Sequence, residues 1–391
     1  MAANDAVIRI VQSLKEVDPA QWNACAQPPG EPTNPFLSHE FLSALEESGS
    51  ATKQTGWMPY HLVLEDGCGG IAGCMPMYLK SHSRGEYVFD YGWADAFERA
   101  GGRYYPKLQV SVPFTPATAR KLLVRPDARG ETETRKAQLF AGMAEIARRT
   151  EISSVHLTFV PEDEWSWLGE HGLLLRTDSQ FHWENRGYET FQDFLEDLAS
   201  RKRKNLRKER EKAVENDIEI EWVTGSDLTE AHWDAFYEFY MDTGARKWGT
   251  PYLTRSFFSL ISERLAERTL LIMAKREGRY IAGALNFIGD DTLFGRNWGT
   301  IEHHPFLHFE CCYYQAIDFA ISRGLKRVEA GAQGAHKLAR GYLPAKTYSA
   351  HYIAHAGFRE AVESYLNEER RYVDHDMEVM EEHSPFRHET E

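Results

Sequence analysis

Between Phe306 and Leu343 the chain gathers side chains that carry protons and side chains that stabilise negative charge. His308 and Glu310 open a predicted helix, and both types exchange protons near neutral pH. Beyond the helix comes a stretch holding Gly331, Gln333, Gly334, His336, Lys337 and Arg340, closed by Tyr342. Lysine, arginine and glycine-rich backbone donate hydrogen bonds to a developing anion. Such a group of residues suits proton transfer and charge stabilisation at a bound ligand. A solvated polar loop would need neither so many glycines nor an aromatic neighbour.

The elements that position these residues can be read from spacing. Phe309, Cys312, Tyr313, Ala316, Ile317 and Ala320 recur at three- and four-residue intervals, which predicts a helix over 308–323. Gly324 fits a left-handed cap after it. Leu325–Ala330 then reads as a strand, whose end is a common ligand position in α/β proteins. Upstream, Asn297-Trp298-Gly299 could floor a cleft, although Trp298 serves equally as core, and Arg296 is a further candidate hydrogen-bond donor. In the first half, Tyr105, Lys107 and Gln109 alternate and so share one face of an extended segment, a candidate polar wall of a groove between domains. His303, His304 and His308 are interrupted by Pro305 and do not share a helical face, so no metal is expected.

The 391 residues suggest two or three domains. Ten Trp, 18 Tyr and 21 Phe supply large cores and stacking surfaces. The net charge of −14 repels polyanions from most of the surface. An exception is Arg201–Lys212, with eight basic and two acidic residues, net +6. It follows a helical apolar stripe of Phe191, Phe194, Leu195 and Leu198. The five cysteines show no metal or redox spacing, and no run approaches the ~18 apolar residues of a membrane span. A reduced, cytoplasmic protein without membrane insertion is expected.

The two halves repeat an order of elements. Strands at His61–Leu64 and Gly70–Leu79 recur as Leu270–Lys275 and Arg279–Ile288, with Ile71-Ala72-Gly73 echoed by Ile281-Ala282-Gly283. Tyr91-Gly92-Trp93 is matched to Asn297-Trp298-Gly299, and a helix and strand follow each time, 133–159 and 308–330. This predicts a mixed α/β fold in two copies. The expected division is a domain over 1–187, a basic helical connector over 188–217, a second domain over 218–360 and a charged helix or tail over 361–391.

At this point the chain resembles the FemAB-like N-acyltransferases and, more widely, the Fem-type aminoacyltransferases. The resemblance is carried by Asn34-Pro35-Phe36 with Ser38-His39-Glu40-Phe41, Tyr105–Gln109 with Pro113–Pro116, Arg203–Arg210, Gly283–Asn286, Arg296–Gly299, His308–Glu310 and Gly331–Tyr342. It implies tandem GCN5-related acyltransferase domains and transfer of an acyl group to an amine. Such transfer needs donors on the carbonyl, a neutral amine and a stabilised leaving group. His308, Glu310, His336 and Lys337 are then the candidate catalytic residues. Tyr105, Lys107, Gln109, Arg296, Asn297, Trp298, Gln333, Arg340 and Tyr342 are candidates for substrate binding. The loop Thr300–Leu307 lacks the glycines of an ordinary CoA pyrophosphate site, so aminoacyl-tRNA is the expected co-substrate, with no bound cofactor. Arg201, Lys202, Lys204, Arg207 and Lys208 would meet its phosphates, although a solvated helix face has the same composition. The acceptor would be a primary amine of a peptide, a cell-wall precursor or a small metabolite. An acyl-CoA- or carrier-protein-dependent transferase and a catalytically silent binding protein remain alternatives. The second stays open because relatives are expected to read Gly-Ala-Gln-Gly-Glu-His-Lys where this chain has Ala335, natural or introduced.

Overall fold

The computed structural model describes residues 7–126, 130–247, 250–331 and 334–387. Two compact units emerge, one of residues up to Asp178 with Thr347–Val373, the other of Ser179–Lys346 with the residues from Asp374 on. The chain opens with β1 (Ile8–Val11), α1 (Pro19–Ala26), α2 (His39–Glu47), β2 (Trp57–Pro59), β3 (His61–Glu65), β4 (Ile71–Met75) and β5 (Met77–Lys80). It continues through α3 (Tyr91–Arg99), β6 (Lys107–Val110), β7 (Leu123–Val124), α4 (Thr132–Arg149), β8 (Ser154–Val160) and α5 (Glu162–Glu170). Strand β9 (Leu174–Glu184) starts in the first unit and ends in the second. There follow α6 (Phe191–Asp197), α7 (Ser200–Ala213), β10 (Ile218–Thr224), α8 (Glu230–Lys247), α9 (Arg255–Leu265), β11 (Thr269–Arg276), β12 (Arg279–Ile288) and β13 (Thr292–Thr300). Next come α10 (Leu307–Phe309), a π-helical turn (Glu310–Tyr314), α11 (Gln315–Ser322), β14 (Arg327–Glu329) and a 3-10 helix (Ala335–Arg340). Strand β15 (Leu343–Ile353) returns from the second unit to the first, and α12 (Ala356–Glu382) ends the series.

In the second unit β10, β11, β12 and β13 pair antiparallel in that order, β14 lies parallel to β13, and β9 is antiparallel to β14. The first unit repeats this series. Antiparallel pairs join β1 to β3, β3 to β4 and β5 to β6; β6 is parallel to β8, and the end of β15 is antiparallel to β8. Its third strand is broken into β4 and β5 at Pro76, which has no N–H to continue a ladder. The mixed α/β class in two copies of one plan, expected from the repeat, holds. Gly73 and Gly283 both fall on the third strand of their series. The other proposed echo fails: Tyr91-Gly92-Trp93 begins helix α3, whereas Asn297-Trp298-Gly299 lies in β13, whose counterpart is β6. Glycine and tryptophan do not by themselves distinguish helix from strand.

Local chemistry sets the helix starts. The Ser38 hydroxyl accepts from the Phe41 amide at 3.2 Å and caps α2. Thr190 and Asp193 form a reciprocal capping box on α6. Helix α4 lays Leu139, Met143 and Ala147, four residues apart, on a first-unit core of Leu62, Leu64, Leu108, Val155 and Leu157. In the second unit Leu270, Ile272 and Ala274 alternate along β11 into a core shared with Ile317 and Ala320 of α11. Phe194, Leu195, Leu198 and Leu206 lie in that same core, so residues 191–206 pack as part of the second unit.

Helix α8 approaches β13 closely at Gly299, where an added Cβ would lie 2.4 Å from the Phe239 carbonyl oxygen. Backbone cannot yield as a flexible side chain can. Gly299→Ala should cost about 1–3 kcal/mol through overpacking, read as a lower urea midpoint. Gly92→Ala, on α3 with nothing within 4 Å of the new methyl, should be neutral or stabilising.

Candidate active site

The candidate site forms where β13 and β14 part. Their parallel pairing covers Thr292–Arg327, Leu293–Val328 and Phe294–Glu329; β13 then runs on to Thr300 while β14 stops. At the parting point an added Cβ on Gly295 would lie 3.3 Å from the Glu329 carbonyl oxygen and 3.4 Å from Asn286 Oδ1. Glycine allows this close approach. The β12–β13 register jumps from Leu285–Asn297 to Asn286–Gly295, leaving Arg296 as the extra residue of a bulge. A bulge re-aims the strand beyond it, here the segment with Asn297 and Trp298.

The helix facing this opening is interrupted by its π-helical turn, a distortion often found at functional sites. Trp298, His308, Phe309, Tyr313 and His336 form one aromatic cluster, with ring centroids 5.3 Å apart for Trp298–His308 and 5.4 Å for Phe309–His336. The His336 Nε2 lies 2.9 Å from the Tyr313 hydroxyl, and His308 is 6.2 Å from His336 between ring centres. Buried Tyr342 donates to the Tyr313 carbonyl at 3.2 Å. Lys337 is 1% exposed, and its Nζ donates to the Gly331 carbonyl at 2.9 Å. Burial disfavours its charge and brings its pKa down to about 8. A cavity of about 330 Å³ opens beside these residues, lined among others by Arg246, Trp298, His304, Phe306 and His308.

Helix α7 fixes this arrangement through two neighbouring residues. Arg210 donates to both oxygens of buried Glu310, at 3.1 and 2.8 Å, and pairs with Asp318 at 2.8 Å. Glu209 receives Arg340 at 2.9 Å on each oxygen and also accepts from the Tyr314 hydroxyl. The Arg340 guanidinium stacks 3.5 Å over the Phe309 ring and donates to the His336 carbonyl at 2.7 Å. Bidentate arginine–carboxylate pairs specify orientation as well as charge.

Of the candidates from sequence, His308, Trp298, His336, Lys337, Arg340, Tyr342 and Glu310 come together here. Arg296 and Asn297 follow from the bulge, half-buried. Gln333, Ala332 and the side chain of Ala335 lie outside the described residues. Glu310 has both oxygens engaged by Arg210, and Gln315 adds a bond at 2.7 Å, so it orients the helix. Tyr105, Lys107 and Gln109 do not form an open wall. Lys107 and Gln109 are fully buried in the first unit. Burial opposes the Lys107 charge, but Glu86 at 2.6 Å and Asp90 at 2.5 Å outweigh it and raise its pKa. Gln109 donates to Thr158 at 3.0 Å, and the Tyr105 hydroxyl meets Ser83 at 2.8 Å. Alternation gave the shared face but not its direction, because a cluster of opposite charge in the loop 86–90 makes burial tolerable.

Three contributors were missed in the sequence. Glu209 and Arg210 were read as members of a basic run, yet Leu206, Glu209, Arg210 and Ala213 are spaced as one inward helical face. Glu329 was passed over, although an acid beside Val328 on a short central strand signals a buried carboxylate.

The sequence model of the FemAB-like family, described as peptidoglycan biosynthesis/recognition, matches residues 13–388. The chain belongs to the FemAB-like family. It is an acyltransferase with the duplicated GCN5-related fold. Among solved structures it is similar to FemX, at 12% identity over 91% of this chain and 100% of that one, with a TM-score of 0.55. It is similar also to L-PGS from Bacillus licheniformis, at 9% identity over 87% and 99%, TM-score 0.51. A conserved protein of unknown function from Bacteroides thetaiotaomicron matches at 11% over 89% and 100%, TM-score 0.52. These likenesses are of fold. No curated protein matches the chain. Among the described residues no helix is long and apolar enough to cross a membrane.

Replacing Arg210 by Met leaves the buried Glu310 carboxylate without its bidentate partner. Urea unfolding should register a loss of about 3–5 kcal/mol. Adding Glu310→Gln to Arg210→Met should recover a large part of it, since the uncompensated charge is gone. Additive losses in the double mutant would show the two residues to be energetically independent.

Proposed function

We propose that this FemAB-like enzyme moves an aminoacyl group, esterified to tRNA, onto a primary amine of a peptide, cell-wall precursor or small metabolite. The observation that carries the reading is the two-faced helix α7. Its inner face holds Arg340 and Glu310 at the site, while Arg201, Lys204, Arg207 and Lys208 on the same helix are exposed and Lys202 is half-exposed. On a chain of net charge −14 this is a local attractor for a phosphate backbone. The aromatic-lined cavity beside Trp298 and His308 would receive the ester-bearing terminal nucleoside, since aromatic faces stack on any base.

In this reading the amine nitrogen attacks the ester carbonyl carbon, a tetrahedral oxyanion forms, and the ribose oxygen leaves. Lys337 is the cation available to the oxyanion and leaving oxygen. With a pKa of about 8 it is charged at pH 7 and still gives up a proton readily. Arg340 and Glu310, held by α7, keep the surrounding helix turns in place.

Lys337→Met should lower turnover by about one to three decades, as for other electrostatic donors. Stability should stay level or rise, because the change removes a buried ammonium. A parallel fall in both would make Lys337 a packing residue. Reversing Lys204, Arg207 and Lys208 to Glu should abolish binding of charged tRNA with the fold intact. Wild-type binding should weaken with salt at a log–log slope of about −0.7 to −0.9 per phosphate neutralised. The deciding measurement is transfer of a labelled amino acid from charged tRNA with and without ribonuclease. Transfer that survives ribonuclease, or full turnover on acyl-CoA alone, would sink the tRNA donor; no transfer from any donor would make the chain a binding protein.

A further inference from the structure

We propose that the segment 384–387 is a strap that positions Lys337, with Phe386 as its anchor. Strap and site both lie in the second unit. The inference rests on the reading of Lys337 as the cation at the reacting oxygen, but not on the identity of the acyl donor. After α12 the chain leaves helical geometry, and Phe386 forms an antiparallel bridge with Leu198 at the junction of α6 and α7. Beside this bridge the Ala199 amide donates to the Pro385 carbonyl at 2.9 Å, and the Arg387 amide donates to the Asp197 carbonyl at 3.0 Å. Ala199 is the N-cap of α7, so the strap is bonded to the start of the helix that carries Glu209 and Arg210.

The Phe386 ring reaches from that junction into the core and is 7% exposed. It meets Phe194 edge-on at 6.3 Å between centroids, and the Arg186 guanidinium covers it at 4.0 Å. Both rings lie against Gly341, where an added Cβ would be 2.6 Å from the Phe194 ring and 3.7 Å from the Phe386 ring. Gly341 is the left-handed C-cap, at φ 87°, of the 3-10 helix that holds Lys337. Its amide donates to the Leu338 carbonyl at 3.1 Å, and the Tyr342 amide donates to the Lys337 carbonyl at 3.3 Å. The two rings therefore support the turn that fixes the Lys337 backbone. A left-handed glycine has no side chain of its own to resist movement, so this turn takes its place from the rings it rests on.

Phe386 acts through Phe194 and Gly341 and is a positioning residue. Cutting its ring back to a methyl opens a cavity into which Phe194 can move, and the turn at Gly341 follows. An electrostatic donor works only within hydrogen-bond reach of the charge that develops, so a small displacement of Lys337 is felt in the chemical step. The outer face of α7 is held separately, by Arg210 on Glu310 and by the backbone bonds of the strap, which the substitution leaves in place. The expected signature is a fall in kcat with little change in KM for the donor.

The test compares Phe386→Ala with Phe258→Ala, using whichever of charged tRNA or acyl-CoA the wild type accepts. Phe258 is buried on α9 against Trp233 and Phe236, so the control loses the same ring from the same unit away from the strap. Both variants are assayed where urea unfolding shows equal fractions folded. Phe386→Ala should lower kcat about ten- to a hundredfold with KM for the donor within a few-fold, and Phe258→Ala should leave kcat within a few-fold. Phe386→Leu, which refills part of the space, should fall between wild type and Phe386→Ala. If the alanine variant does not fold, the leucine variant must show the same split between kcat and KM. Independently of turnover, amide hydrogen exchange over residues 338–342 should quicken in Phe386→Ala and not in Phe258→Ala. A silent Lys337→Met would remove the catalytic reading of Lys337, and exchange would still decide whether the strap holds the turn. Equal falls in kcat in the two alanine variants, or unchanged exchange over 338–342, would overturn the proposal.

Discussion

The second unit depends on a pair of desolvated ion contacts made by adjacent residues of one helix. Arg210 and Glu209 point inward from a helix that is otherwise strongly basic, and each takes a buried partner of opposite sign. Removing such charges from water costs several kcal/mol per ion, offset here by the bidentate Arg210–Glu310 pair and by Arg340 Nη2 shared between both Glu209 oxygens. The arrangement therefore contributes more to orientation than to net stability. It fixes the register of α7 against the π-helical turn through Glu310, and against the 3-10 helix through Arg340. That 3-10 helix carries Lys337, whose position would otherwise depend on a glycine-flanked segment with many accessible conformations.

The two copies of the domain plan have diverged at the same structural position. In the first unit the parallel pair β6–β8 carries Lys107, whose ammonium is already shared by Glu86 and Asp90. In the second, the parallel pair β13–β14 ends on Glu329 with an oxygen to spare.

Much of this was legible in the sequence. The three- and four-residue spacing from Phe309 to Ala320 gave the helix, Gly324 its left-handed end, and the repeat of strand pairs gave the duplication. His308, His336, Lys337 and Arg340 could be gathered because glycines and charges in one span are seldom needed for packing alone. The direction of a side chain was harder. Lys107 and Gln109 alternate whether their common face is wet or dry, and the deciding Glu86 and Asp90 are some twenty residues away. The π-helical turn has no short-range signature, and the partner that holds Glu310 at its start, Arg210, lies far away in the chain. Glu209 and Arg210 were hidden by composition: a run that is two-thirds basic masks two residues whose spacing with Leu206 marks them as inward.

The route of β15 governs when the molecule can form. The last strand of the first unit's series is supplied by residues 347–353, which leave the ribosome only after residues 179–346 of the second unit have been made. Until then β8 has an unpaired edge, a template for the wrong strand. The first half of the protein must therefore wait, partly assembled, for a segment nearly two hundred residues downstream. Such long-range pairing slows folding and extends the time during which apolar surface is open to aggregation. An N-terminal fragment would lack that strand permanently, so the domain that comes first in the chain cannot be completed from its own half.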